Sequence, residues 1–319
     1  MLFNLIANEN MKIYRRFRTW ILIGLLVLAS LTGTFLSWKY GPDENSDWRQ
    51  AVQENIKQQQ EQAAHYQNDD SVTGKLLRER AENEVLISQY RLDHDIPPPA
   101  GSMWENVLDM SSLIVLITIF TVIIAGDSVA SEFTWGTIKL LLIRPANRTK
   151  ILASKFIATL LFSLLLLVLL FVVSALFGGI LFGFDDIGTP HLKVVNGAVK
   201  EVPMVLHAIG QYGLNCVSLI MYVSMAFMIS SVFRSSSLGI GLSVFLLFAG
   251  QLLVGLLVGF DFNWAKYLFF ANTDLTQYLN GMPLIEGMTM GFSIAVLTVY
   301  FAGFLLLSWL AFTKRDIAA

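Results

Sequence analysis

The side chains that most often do chemistry are few and scattered in this sequence. Four histidines (His65, His94, His191 and His207) fit no zinc-ligand spacing. The single cysteine, Cys216, lies inside an apolar segment and can form no intrachain disulfide. A phosphate loop needs glycine, four residues, then Gly-Lys-Ser/Thr; the nearest string, Thr73-Gly74-Lys75-Leu76, lacks the upstream glycine and the magnesium-binding hydroxyl. ATP binding by this chain is therefore not expected. Ionisable groups deep in apolar segments usually mark ion or proton routes. Here Asp109 and Asp127 only bracket one such segment, and no His-Glu-x-x-His string or carboxylate pair suits a protease. The polar groups the apolar segments do carry are uncharged: Gln211, Asn215 and Ser218 at i, i+4, i+7, and Gln251 among Gly250, Gly255 and Gly259. The ordinary work of such groups is to hydrogen-bond neighbouring helices.

The elements that must position these residues are set by composition. Hydrophobic residues make up 55% of the 319 and charged residues 14%, against about 25% charged in an average soluble domain. Mean hydropathy is +0.59. Segments 19–38, 110–126, 156–184, 202–233, 235–260 and 287–313 run uncharged at lengths that can cross a bilayer, which needs about 20 residues of helix. The expected fold is an all-α polytopic membrane protein with six transmembrane helices. A formal net charge of −2 supplies no basic footprint for nucleic acid.

Charge sets the expected orientation. Lys12, Arg15, Arg16 and Arg18 precede the first apolar run, which is too long for a cleaved signal segment. Under the positive-inside rule that cluster stays cytoplasmic, and threading six spans puts the basic stretch 127–155 on the same side, with both termini inside. The acid-rich loop 41–103 then faces outward. Residues 1–18 pair apolar Leu2, Leu5, Ile6, Ile13 and Phe17 with a basic face and are expected to form an amphipathic helix on the inner leaflet. Residues 19–40 form the first span. Within 41–103, Trp48, Val52 and Ile56, then Leu77, Ala81 and Val85, recur at helical spacing. A two-helix extracellular hairpin is expected, turning at Asp69-Asp70-Ser71 and Gly74 and stopped by Pro97-Pro98-Pro99. The loop 185–205 reads as irregular. Residues 104–319 hold the remaining five spans and an aromatic, broken segment at 259–290 that reads as an outer re-entrant element.

The most informative stretch runs from Ser131 to Lys155. Ser131 can cap a short helix with Glu132 near its positive end, and Trp135, Ile138 and Leu142 would share one face. Arg144-Pro145 breaks that helix, and Asn147 or Thr149 can start the next. Glu132, Gly136-Thr137, Pro145, Arg148, Ile151 and Lys155 fall in an order that resembles the permease subunits of the type-two ABC exporters, the group of bacitracin and lantibiotic export permeases. Three distant stretches are similar to the same family: Leu5 to Arg16, Ser230 to Gly241, and Phe312 to Ile317. The first outer loop, 41–103, is longer than that of the family's compact members.

The resemblance implies a specific division of labour. The segment 131–150 would be a coupling helix seated on a separate ATPase, with Glu132, Trp135, Gly136, Thr137, Arg144, Arg148 and Lys155 as contact or transmitting residues. The N-terminal helix, with Glu9, Lys12, Arg15 and Arg16, would be a second contact. Gln251 and Asn215 would line the substrate path. Two ATPase subunits would bind ATP and magnesium, this chain binding no cofactor. A second permease, identical or related, would complete the assembly in a bacterial plasma membrane, with membrane lipid around it. The cargo implied is a peptide antibiotic or other amphipathic compound. A different reading keeps the same layout without transport: a membrane sensor or immunity protein that binds a cell-wall-active compound through its ectodomain. A secondary transporter is a third, disfavoured by the lack of a buried carboxylate or histidine.

Overall fold

The computed structural model describes residues 2–41, 47–69, 71–99, 101–137, 147–184, 188–195, 197–233, 235–260, 262–279 and 283–314. The described residues fold as an all-α bundle with one small sheet. Helix α1 (Leu2–Arg15) leads into α2 (Phe17–Tyr40); α3 (Trp48–His65) and α4 (Val72–His94) form a hairpin. A short α5 (Met103–Met110) and a 3-10 turn run into α6 (Ile114–Ser128), which is followed by α7 (Ala130–Thr134) and the long α8 (Arg148–Phe182). Strands β1 (Pro190–Val195) and β2 (Ala198–Pro203) precede α9 (Met204–Val232) and α10 (Ser236–Gly259); α11 (Phe269–Asn272) and α12 (Met290–Thr313) close the chain. Six helices, from α2, α5–α6, α8, α9, α10 and α12, are long and apolar enough to cross a bilayer.

Their side chains are arranged for a lipid surround. On α2 the large residues Leu25, Leu28, Phe35 and Leu36 are exposed, while Thr19, Ser30 and Thr34 are buried. The same inversion recurs on α8, where Leu164, Leu165 and Val168 face outward and Ser163 and Ser174 face the bundle. Small hydroxyl residues let helices approach closely, and each can return its proton to its own helix. Thr34 donates to the Ser30 carbonyl at 2.9 Å, Thr118 to Ile114 at 2.9 Å and Ser243 to Gly239 at 2.6 Å. Close approach is tightest where α6 crosses α10. A Cβ on Gly239 would sit 2.5 Å from the Gly126 carbonyl oxygen, so the two backbones touch with no room for a methyl.

The two ends of the bundle differ. At one end α3 and α4 pack through Val52 and Ala81, with Asp47 and Ser71 accepting from Arg49 N and Gly74 N as N-caps. Helix α4 stops at His94, where Asp95 takes a left-handed conformation (φ 57°) two residues before the prolines. The loop expected to be irregular holds instead an antiparallel β-hairpin, Val195 pairing with Ala198. Its sequence signal is the Asn196-Gly197 dipeptide between Val195 and Ala198, the strongest short-range hairpin mark, with Gly197 at φ 74°. Tyr90 of α4 donates to Glu201 of β2 at 3.0 Å and docks one hairpin on the other. Below them, Asn106 Nδ2 reaches the Ser174 carbonyl at 2.9 Å and Tyr212 Oη the Val107 carbonyl at 3.0 Å, joining α5 to α8 and α9. After α10 the chain turns back into the bundle: Phe269, Ala271 and Asn272 of α11 are buried, and Phe270 lies against Gly250.

The Gly126–Gly239 crossing makes a direct prediction. Gly239→Ala should destabilise the folded protein by about 1–3 kcal/mol, the scale of an overpacked contact. Gly241→Ala on the same helix, where an added Cβ meets nothing within 4 Å, should be neutral or slightly stabilising. Thermal unfolding of both variants in detergent, followed by intrinsic fluorescence, checks the pair.

Candidate functional site

At the end of the bundle opposite the hairpins, α1 is pinned down by charge. Its amphipathic sequence leaves Phe3 outside and turns Ile13 and Tyr14 onto the bundle, Tyr14 meeting Phe162 edge-on at 6.0 Å. The helix breaks at Arg16. Its last carbonyls are taken up by the first turn of α2: Thr19 Oγ1 donates to the Ile13 carbonyl at 2.6 Å and Trp20 Nε1 to that of Tyr14 at 2.8 Å. Nearby, the break between α6 and α7 is held from α9, where the Ser230 hydroxyl oxygen accepts from Val129 N at 3.2 Å and Ala130 N at 3.0 Å. That break aims Glu132 back toward α1.

Four charged side chains then close a ring. Glu9 pairs with Lys12 at 2.7 Å, Lys12 with Glu132 at 3.1 Å, Glu132 with Lys155 at 2.8 Å and Lys155 with Glu9 at 2.9 Å. Signs alternate and the ring is neutral. It joins α1 to α7 and α8, which lie more than a hundred residues further along the chain. The Lys155 side chain is 2% exposed. The remaining Glu132 oxygen accepts from Thr137 Oγ1 at 2.5 Å. A second anchor sits beside the ring: Asp127 at the end of α6 accepts from Arg16 Nη1 at 2.5 Å and also pairs with Arg18. Arg16 is shared, its guanidinium lying 5.1 Å from the ring centre of Trp135. Trp135 itself is 65% exposed, and Gly136 turns the chain after it at φ 69°. A groove of about 460 Å³ runs between α1 and this turn, lined by Leu5, Arg15, Trp135 and Ile151 among others.

The residues singled out from sequence separate into three groups. Glu9, Lys12, Glu132, Thr137 and Lys155 meet in one cluster, and Arg15, Arg16, Trp135 and Gly136 lie around it. Arg148 is elsewhere, donating to the Thr313 carbonyl at 3.2 Å while Trp309 Nε1 reaches Thr149 Oγ1 at 3.1 Å; together they tie the start of α8 to the end of α12. Arg144, with Ile138, Leu142 and Pro145, lies outside the described residues. Gln251 and Asn215 line a separate cavity of about 610 Å³ between α6, α9 and α10, toward the hairpin end. No residue of the first span lines it. Sequence reading placed Asp127 merely at a span end and missed its partners; the available signal was an acid closing one span opposite a basic run opening another. Tyr222 and Thr273, which bond Gln251 at 2.8 and 3.1 Å, had no sequence signal, because three separate elements bring them together.

The matched region of the chain takes in most of this geometry. A family model described as "Protein of unknown function (DUF2705)" matches residues 78–318. The chain belongs to the DUF2705 family. It is 44% identical over 319 residues to the "Uncharacterized protein YhcI" of Bacillus subtilis (strain 168), covering 99% of each chain. It is 33% identical over 207 residues to the "Uncharacterized membrane protein YdbK" of the same organism, covering 65% of this chain and 80% of that one. With six apolar helices of spanning length and a membrane protein among its relatives, this is a multi-pass membrane protein. The family model begins within α4, so α1 and the Glu9–Lys12 side of the ring lie outside it, whereas the full-length relative spans them.

The ring also has a defined response to acid. Burial pushes the Glu132 carboxyl up, but the Lys155 ammonium, the Thr137 hydroxyl and Lys12 outweigh it and hold the group down at about 2. Burial likewise opposes, and Lys155 and Lys12 likewise win, at Glu9, which lies below its ordinary value. A carboxylate with a lowered folded value stabilises the fold fully above its ordinary value of 4.5. That contribution is lost as pH falls from 4.5 through about 2. Stability measured across this interval should therefore fall less steeply in Glu132→Gln than in the parent. Lys155→Met leaves Glu9 and Glu132 to share Lys12 alone and should cost about 3–5 kcal/mol of α1 docking. Hydrogen–deuterium exchange over residues 2–15 should then quicken, while exchange in α9 stays unchanged.

Proposed function

We propose that this chain is the transmembrane subunit of an ATP-driven exporter, coupled to a separate ATPase. The observation that carries the proposal is the closed ring of Glu9, Lys12, Glu132 and Lys155, in the stretch whose sequence carries the resemblance to exporter permeases. A segment that only loops between two spans has no need to be bonded rigidly to an interfacial helix and to the base of a third span. A segment that receives force does. Trp135, exposed beside the ring and stacked by Arg16, is the surface feature a soluble partner would grip. Aromatic and arginine residues are the usual anchors of such contacts.

On this reading both termini and the ring end are cytoplasmic, and the α3–α4 hairpin is extracellular. A push on the Trp135 turn passes through Glu132 to Lys155 and so to α8, and through Lys12 to α1 and the start of α2. The Asp127 pairs make α6 follow the same motion. Nucleotide and magnesium belong to the partner, and the described spans would supply no hydrolytic group. Two such permease subunits, alike or related, would enclose the path. The sensor or immunity reading draws instead on the opposite end, where Tyr90–Glu201 joins the helical hairpin to the β-hairpin as one outer unit.

The deciding experiment is to tag the full chain, purify it in mild detergent and in native lipid extract, and identify what comes with it. A stoichiometric ATPase whose hydrolysis depends on this chain is the expected result. A clean preparation in both media, with no such partner, would sink the exporter reading and move the sensor reading to first place. Given the partner, Trp135→Ala should weaken its association about tenfold or more, the scale of an interface hot spot. Glu132→Ala should leave membrane insertion intact and lower transport-linked ATP turnover.

A further inference from the structure

The 610 Å³ cavity toward the hairpin end is lined by two carboxylates, Asp109 and Asp274, and by no lysine or arginine. Among the described residues, the Asp109 carboxylate has no hydrogen-bond or ion-pair partner. The hydrogen bonds around the cavity carry a further bias. Gln251 donates from Nε2 to Thr273 Oγ1, and Thr273 has already spent its proton on the Phe270 carbonyl at 2.9 Å, so the amide must present nitrogen there. Gln211 donates to Ser111 Oγ at 2.9 Å, whose proton is likewise spent on the Leu108 carbonyl at 2.5 Å. Asn215 donates to a backbone carbonyl at 3.0 Å. In this arrangement all three amides present nitrogen to these neighbours, and no described donor meets their three carbonyl oxygens.

Every hydroxyl lining the cavity is spent in the same way. Ser112, Thr118 and Ser218 donate to backbone carbonyls, Thr276 to Asp274, and Tyr222 is left to donate to Thr273. Among the described side chains lining it, only one spare N–H each on Gln211 and Asn215 remains. A cavity rich in acceptors, poor in donors and bearing two negative charges is complementary to a cationic hydrogen-bond donor.

The shape adds an apolar requirement. Asp109 and Thr118, nine residues apart, both line the cavity, so it extends about 14 Å along the helix at 1.5 Å per residue. Its flank is formed by Val115 and Phe248, 54% and 53% exposed, so the cavity opens sideways between α6 and α10 onto the lipid-facing surface. Ile114 and Leu247 continue the apolar wall inward. We infer that this cavity binds an amphipathic cation, with an ammonium or guanidinium head against Asp109, Asp274 and the three amide oxygens and an apolar body along Val115 and Phe248. As a cargo site it rests on the exporter reading; as a binding site it needs no ATPase, so the two can fail separately.

The test uses the full chain in phosphatidylcholine nanodiscs and a dansyl-labelled dodecyl chain ending in a primary ammonium. Saturable energy transfer from tryptophan is expected, with the hydroxyl-ended analogue bound about tenfold or more weakly, the scale of a hydrogen bond to a charged group. Asp109→Asn should lose about the same factor, whereas Glu286→Gln, an exposed carboxylate outside the cavity, should change nothing. Val115→Trp, which fills the apolar flank, should weaken binding without touching a charge. Equal binding of the ammonium and hydroxyl probes, or an unchanged affinity in both Asp109→Asn and Val115→Trp, would overturn the inference. Displacement of the probe by phosphatidylethanolamine added to the nanodiscs would identify an aminolipid as the natural source of the head. Retention would identify a soluble cationic amphipath, and either result keeps the site.

Discussion

A polar group left unsatisfied in hydrocarbon costs several kcal/mol, and the whole molecule is organised around that cost. Large apolar side chains cover the outside of α2, α8 and α10, so burial alone gives the helices little reason to associate in lipid. What holds them is close packing at small residues and polar groups that find partners only inside the bundle. The Gly126–Gly239 crossing is the first kind of contact and Asn106 on the Ser174 carbonyl the second. Hydroxyls that return their protons to their own helices can be buried without demanding a neighbour, which is why serine and threonine can line so much of the interior.

The same rule produces opposite outcomes at the two ends. Within the ring every charge has an opposite charge, and the two anions and two cations neutralise one another across three elements. Such a ring is rigid because moving any one member leaves another uncompensated in a partly buried setting. On the exporter reading it would transmit displacement from α7 to α1 and α8. In the cavity of the hairpin end the count does not close: acceptors outnumber donors and two carboxylates share no cation. A cavity that leaves such a set of acceptors open has left a place for something else to satisfy them.

Much of the architecture was legible from the chain alone. Six spans follow from long uncharged runs, and the structure lengthens the first three while trimming the last three: the third begins at Arg148, so Lys155 lies inside a helix instead of before one. The α3–α4 hairpin follows from the helical spacing of Trp48, Val52 and Ile56 and of Leu77, Ala81 and Val85. The β-hairpin is legible too, in Asn196-Gly197 between Val195 and Ala198. Of the site residues, Glu132 and Lys155 stood out by order in a motif, and Arg148, from the same motif, proved to serve a different contact, with the end of α12.

Sequence by itself determined that this chain belongs in a membrane, how many times it can cross, and which residues are too polar to be there by accident. Those are local properties, set by the transfer cost of each side chain and the period of its helix. Only the tertiary structure decided that Glu9 meets Lys155, that Asp127 takes Arg16 and Arg18, and that Gln251 is oriented by Tyr222 and Thr273. Each of those pairings joins residues whose separation along the chain carries no information about distance. Which acceptor a proton goes to, and which oxygens are left over, exists as a fact only once the helices are packed.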